Sequence, residues 1–225
     1  MKVARTLTAA AATLVTTVAA SAQSFNIDFG NTAPGTGSPT NAFGAAAGQA
    51  GFWQTIASVT ANVPIVMQDL SGAATAATIA CNQTELSFGF DNPGTTGDTQ
   101  LLMDDLLDMG GAGSSDVFTI SGLQNGSYDV YTYAWAPDSA TFLTNVSVNG
   151  VNQQVIGGAW PGGFQQGITH ALHTAVQVVN GTMTIQTSTS SGFSSLNGLQ
   201  LVIPGPGALA LLGVAGVVGS RRRRA

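Results

Sequence analysis

The sequence runs to 225 residues and is 44% hydrophobic but only 8% charged, against about 25% charged in an ordinary soluble domain. Its six basic residues lie at the two ends (Lys2 and Arg5, then Arg221, Arg222, Arg223 and Arg224), and its eleven acids all lie between Asp28 and Asp138. With eleven acids and no lysine or arginine, the body between the ends has a formal charge of −11. That excludes nucleic-acid binding through phosphate neutralisation and arginine clamping of anionic sugars; neutral ligands and divalent cations remain.

The chain opens on MKVARTLTAAAATLVTTVAASAQ, a basic start, an apolar run from about Leu7 to Ala19 and the small residues Ala20-Ser21-Ala22. This order predicts a signal helix over 1–22, cut by signal peptidase after Ala22. Phe25, Ile27 and Phe29 then alternate with Asn26 and Asp28, the period of a strand. From Asn31 to Gly51 the chain is rich in Pro, Gly and Thr without periodicity and predicts a loop. FWQTIASV, PIVMQDL, ATAATIA and TELSFGF follow as strands. Cys81 is the single cysteine and has no basic neighbour, so it is expected as a small buried hydrophobe. Thr99 to Met109 is the best helical segment.

The second half is punctuated by four Asn-Gly pairs, at Asn125, Asn149, Asn180 and Asn197. Each is a tight-turn signal when strands flank it, because Asn and Gly tolerate positive φ. β-branched and aromatic runs do flank them, and LQLVI from Leu199 closes the series. Many short strands with frequent turns and no α/β alternation predict an all-β fold, a jelly-roll-like two-sheet β-sandwich over 23–203. The tail, 204–225, is a separate module.

That tail combines Pro204-Gly205-Pro206, an apolar run of 14 residues from Gly207 to Ser220, and the four arginines. A full membrane span wants about 20 apolar residues, so this short helix is a marginal span, and the arginines hold its end on the cytoplasmic side. The pattern resembles the PEP-CTERM sorting signals of bacterial surface proteins; the central Glu of their Pro-Glu-Pro motif is Gly205 here. The resemblance implies export, passage through the inner membrane by the C-terminal helix, an exosortase-type enzyme as partner, and a final place at the cell surface or in the extracellular matrix.

In the body, FTISGLQNGSYDVYTYAW (Phe118 to Trp135), VSVNG (Val146 to Gly150) and the closing NGLQLV carry a looser likeness. They resemble galactose-binding-like and malectin-like jelly-roll modules, which implies the sandwich more than any ligand. Strand alternation puts Asp129, Tyr131, Tyr133 and Trp135 on one face, an aromatic face with a carboxylate that suits neutral sugar rings. Trp53, Trp160 and Phe164 can join it, the last two from the glycine-rich loop GGAWPGGFQQG. Ligand binding is therefore expected at Trp135, Trp160, Tyr133, Asp129 and Phe164, with core packing as the competing reading.

Asp98, Asp104, Asp105 and Asp108 are the densest acids and the place for a structural calcium, which needs several hard oxygens. The surrounding leucines suit an amphipathic turn instead. No catalytic set stands out: the other carboxylates are scattered, His170 and His173 lack a third zinc ligand, and no G-x-S-x-G elbow occurs. The leading expectation is a non-catalytic exported sandwich that binds neutral glycans or matrix. The alternatives are an enzyme acting on polysaccharide with dispersed carboxylates, and a purely structural matrix protein.

Overall fold

The computed structural model describes residues 23–204. The signal helix, Gly205, Pro206 and the apolar and arginine parts of the tail lie outside the described residues. Among the described residues, no helix is long and apolar enough to cross a membrane.

The strands are β1 (Phe25–Phe29), β2 (Trp53–Ile56), β3 (Ser58–Val59), β4 (Ile65–Gln68), β5 (Ala74–Cys81) and β6 (Glu85–Gly89). The helix α1 (Asp98–Met103) and β7 (Asp105–Asp108) follow. Then come β8 (Ser115–Ser121), β9 (Gly126–Tyr133), β10 (Leu143–Val148), β11 (Val151–Gly157), β12 (His170–Val178), β13 (Met183–Ser191), β14 (Ser195–Leu196) and β15 (Gly198–Val202). A five-stranded sheet, β12-β9-β15-β1-β2, packs on a six-stranded one, β11-β10-β13-β8-β5-β4. The all-β sandwich expected from the sequence is present, and a small four-stranded sheet, β14-β7-β6-β3, is added to it.

The core between the large sheets is built by alternation. Phe25, Ile27 and Phe29 of β1, Tyr128 and Val130 of β9 and Leu199 and Leu201 of β15 point inward. They meet Ile79 and Cys81 of β5, Phe118 and Ile120 of β8, Val146 and Val148 of β10 and Ile185 of β13. Phe29 and Phe118 touch across the layers with ring centroids 5.5 Å apart. Cys81 is buried there as expected, and burial pushes its thiol up to about 11.

Two expectations change. The helix stops at Met103, and the LL pair beyond it becomes strand β7, which pairs with β6 and β14. A strand separates neighbouring side chains to opposite faces: Leu107 enters the core while Leu106 lies beside Phe88 of β6. Among the Asn-Gly pairs, Asn149-Gly150 alone joins two partners within one sheet, β10 and β11, with φ of 50° and 72°. Asn125-Gly126 and Asn180-Gly181 instead carry the chain from one sheet to the other, and Asn125 Oδ1 accepts the Gly181 N–H at 2.8 Å. Asn197 is wholly buried. Its amide donates to the Met103 and Asp105 carbonyls, and its Oδ1 accepts the Trp135 N–H.

Candidate functional site

The outward face of the five-stranded sheet holds the aromatic residues expected to bind ligand, and it is covered. Alternation sends Tyr131, Tyr133 and Trp135 to this face, beside Trp53 of β2 and Asn26 and Gln200 of the central strands. The loop before β2 lies over them. Ala46 N–H donates to the Tyr133 hydroxyl at 2.9 Å, Tyr133 donates to Gln200 Oε1, and Gln200 Nε2 donates to Asn26 Oδ1 at 2.9 Å. Gln49 also donates to Asn26, at 2.9 Å, and Trp53 Nε1 donates to the Phe43 carbonyl at 3.0 Å. The side-chain polar atoms of Tyr133, Gln200, Asn26 and Trp53 in this hydrogen-bond network all have partners, which is what holds an irregular loop against a sheet.

The glycine-rich loop closes the rest. Trp160 stacks on Trp135 with centroids 4.9 Å apart, Phe164 meets Tyr133 edge-on at 5.5 Å, and Trp135 Nε1 donates to the Gly158 carbonyl at 2.9 Å. The structure thus brings Tyr133, Trp135, Trp160 and Phe164 into one cluster and makes it a second core. Tyr133 is 0% exposed and Trp135 is 1% exposed, so neither presents a ring face to a ligand. Trp160 and Phe164 are half-buried, as lids on that cluster. Asp129 is half-buried and accepts the Ala175 N–H at 2.9 Å, a structural bond at a bulge in β12.

The four acids proposed for calcium do separate jobs. Asp98 holds Thr40 through its backbone N–H and its hydroxyl, at 2.9 and 2.6 Å. Asp104 is buried and accepts from Thr95 and from the Asn92 N–H. Asp105 is buried and accepts from the Thr32 N–H, while Asp108 is exposed and accepts from the Gly110 N–H. A continuous helix from Thr99 to Met109 would put Asp104 and Asp108 on one face; with α1 ending at Met103 and β7 following, they do not share one. Among the described residues, no group of three or more His, Cys, Asp or Glu side chains is placed to hold a metal.

Burial has a marked effect on two acids. Asp28 lies well above the carboxylate range because it is buried, with the Asp105 charge adding. Asp105 is pushed up to about 8 by burial, with Asp104 adding. One oxygen of each, Oδ1, has no hydrogen-bond partner. A Cβ at Gly35 would lie 2.6 Å from the Asp105 carboxyl carbon, so only glycine lets the loop pack over it. Glu85 is held up at about 7 by burial and by Asp116. Burial pushes His170 down to about 4 and lowers His173, so both are neutral at pH 7.

The open aromatic site lies elsewhere. The exposed face of the small sheet and its flanking loops form a cleft of about 270 Å³, lined by Phe88, Leu106, Phe142 and Phe193 with the carboxylates Asp108 and Asp138. Phe88 is 38% and Phe193 48% exposed; Phe142 and Phe193 touch with centroids 5.4 Å apart. Leu86 and Phe90 continue the exposed apolar row along β6. The sequence hides Phe88 because TELSFGF reads as an ordinary half-buried strand. One local signal marks the site: Phe193 sits in SSGFSS, an isolated ring among small polar residues.

No protein family matches the sequence, and no curated protein does. Solved structures give distant likenesses. A Bacteroides uniformis β-glucuronidase is 13% identical at a TM-score of 0.42, covering 68% of this chain and 20% of its own. The CBM36-1 domain of a multidomain xylanase from the hindgut metagenome of Trinervitermes trinervoides is 15% identical at 0.35, covering 57% and 98%. The module TmCBM61, solved with β-1,4-galactotriose, is 12% identical at 0.33, covering 58% and 90%. The chain spans about one fifth of the glucuronidase, and likenesses this distant assign it no ligand or activity.

Proposed function

We propose that this chain is an exported β-sandwich that binds neutral glycans without cleaving them, through the cleft of Phe88, Phe142 and Phe193. The observation that carries the reading is the cleft's chemistry. Exposed rings offer flat apolar faces to the C–H faces of a sugar, and Asp108 and Asp138 at the rim accept hydrogen bonds from hydroxyls. No lysine or arginine occurs in the described residues, so the ligand is uncharged or carries its own cations. The enzyme alternative finds less support: Asp108 and Asp138 are the cleft's two lining carboxyls, and both are exposed.

Export and sorting belong to the same proposal and rest on the terminal sequences alone. The signal peptide sends the body across the inner membrane, and the Pro204-to-Ala225 tail delivers it to an exosortase. Expressed with and without that enzyme, the protein changes in C-terminal mass and in location; an unchanged cytoplasmic product contradicts this part.

The glycan claim is tested by affinity electrophoresis of the full chain through gels containing neutral polysaccharides. Retardation by at least one polysaccharide is expected, weakened roughly tenfold, about 1.4 kcal/mol, in Phe193→Ala and in Phe88→Ala. No retardation across a broad panel, or retardation that both variants keep, contradicts it.

A further inference from the structure

Asp116 is the only acid in the strands of the six-stranded sheet, and it turns toward the interior, where it is 1% exposed. The outward face of that sheet is therefore uncharged, on a body with eleven acids and no lysine or arginine. Alternation puts Val117 and Thr119 of β8, Asn145 of β10 and Thr184, Gln186 and Ser188 of β13 on this face. Their polar groups bond to one another across the strands. Gln186 Nε2 donates to Ser115 Oγ, Asn145 Nδ2 to Ser188 Oγ and Gln153 Nε2 to Asn145 Oδ1, each at 3.2 Å. Exposed valines stand at the two sides, Val66 on β4 and Val155 on β11. The other broad faces differ: loops cover the outward face of the five-stranded sheet, and the small sheet's cleft carries Asp108 and Asp138.

We propose that this face pairs with the same face of a second copy about a two-fold axis, giving a symmetric dimer. Like charge keeps copies of an acidic chain apart, and the repulsion is least where the acids are absent. Charged residues are likewise depleted from the cores of protein interfaces. Asn, Gln, Ser and Thr each offer both donor and acceptor, so the face is complementary to itself, as a two-fold interface requires. Edge-on addition of strands is obstructed. Gln54 of β2 donates to the Val66 carbonyl at 2.8 Å and accepts the Gln68 N–H at 2.9 Å, joining β2 to β4. Gln154 of β11 does the same with Leu172 of β12, at 2.8 and 3.4 Å. A glutamine amide thus takes a peptide group's place at each end of the sandwich, where a free strand edge would otherwise invite pairing. Strand spacings of about 4.8 Å and residue spacings of about 3.4 Å make the face on the order of 500 Å² in plane. That is small beside the roughly 800 Å² a side of a standard interface, so the dimer is a reversible one in the micromolar range. Pairing puts two Phe88–Phe193 clefts on one particle, a consequence that rests on the glycan reading while the dimer does not.

The test is sedimentation velocity of the full chain across a concentration series at neutral pH. A monomer–dimer equilibrium is expected, and it tightens as salt rises because salt screens the repulsion between acidic bodies. Gln186→Glu and Val155→Glu lie at exposed positions, where folding tolerates a change. Each places carboxylates of both copies in the shared interface and weakens the dimer by roughly tenfold or more. Phe193→Ala, in the cleft, leaves it unchanged. A monomer at every concentration and salt level overturns the proposal. A dimer that both glutamate variants keep overturns it too, since association then runs through another surface such as the tail or the cleft. So does a monomer whose retardation by polysaccharide is lost in Val155→Glu, which gives the face to sugar instead.

Discussion

Two aromatic regions of this molecule have opposite fates. Tyr133, Trp135, Trp160 and Phe164 gather on the outward face of the five-stranded sheet, where two loops cover the cluster and bond the polar atoms of Tyr133 and Trp135. Phe88 of the small sheet and Phe142 and Phe193 of its flanking loops gather around an open cleft. Ring content does not distinguish the two, since the covered cluster is the richer. The difference lies in the chain segments nearby. The 31–51 loop brings Gln49 and backbone donors that satisfy Asn26, Gln200 and Tyr133, so it can lie on the sheet with those three side chains paired. Aromatic residues are a binding face only where the neighbouring backbone leaves them open.

The largest effect is expected inside the covered cluster. Trp135→Ala removes a buried ring and its bond to Gly158, and costs about 3–5 kcal/mol in urea-unfolding free energy. A loss under about 1 kcal/mol would break the comparison by showing that this cluster is loosely held. The acids under the same loops come next. Asp28 and Asp105 have folded pKa values raised above the unfolded carboxylate range. Their contribution is therefore fully present below about pH 4 and lost as pH rises through the folded values, about 8 for Asp105. In that window each held proton lowers stability by up to roughly 1.4 kcal/mol per pH unit. Urea titrations should show the protein more stable at pH 5 than at pH 8, and Asp105→Asn should flatten the slope.

Tyr133→Phe is a finer probe of the same region. It leaves the Ala46 N–H without its partner and Gln200 Oε1 with only the long bond from the Ala47 N–H, and should cost about 1–3 kcal/mol, while sugar binding by the folded protein is unchanged. The smallest stability effect belongs to the open cleft. Phe193→Ala, at a position 48% exposed, should move stability by no more than about 0.5 kcal/mol yet weaken glycan binding. That split between folding and binding sharpens the contrast most.

Most of the fold was legible because its signals are local. Phe25-Ile27-Phe29 and Tyr128-Val130 show the two-residue period of strands packed on one side, and β-branched runs mark β10 to β13. The segment from Thr99 to Met109 was misread because LLMDDLLD satisfies a helical period; its last four residues are claimed by pairing with β6 and β14, a tertiary effect. Asn197-Gly198 carries a turn signature, yet its Asn is a buried hub that joins β7, α1 and β9, which no local pattern reveals. The aromatic strand was correctly read as bringing Tyr133 and Trp135 to one face. Whether that face was open depended on Gln49 and Ala46, residues of an aperiodic loop more than eighty positions away from Tyr133. The open cleft was hidden for the converse reason: alternation in TELSFGF shows that Leu86, Phe88 and Phe90 share a face, and not that nothing packs on it.

The most direct measurement is chemical-shift mapping of the isotope-labelled chain during titration with a polysaccharide fragment that retards it. The account predicts shifts concentrated at Phe88, Asp108, Asp138, Phe142 and Phe193, with residues 131–135 and 158–168 unmoved. Shifts centred on Tyr133, Trp135 and Trp160 would contradict it, because the loops would then have to open and the covered cluster would be the ligand site.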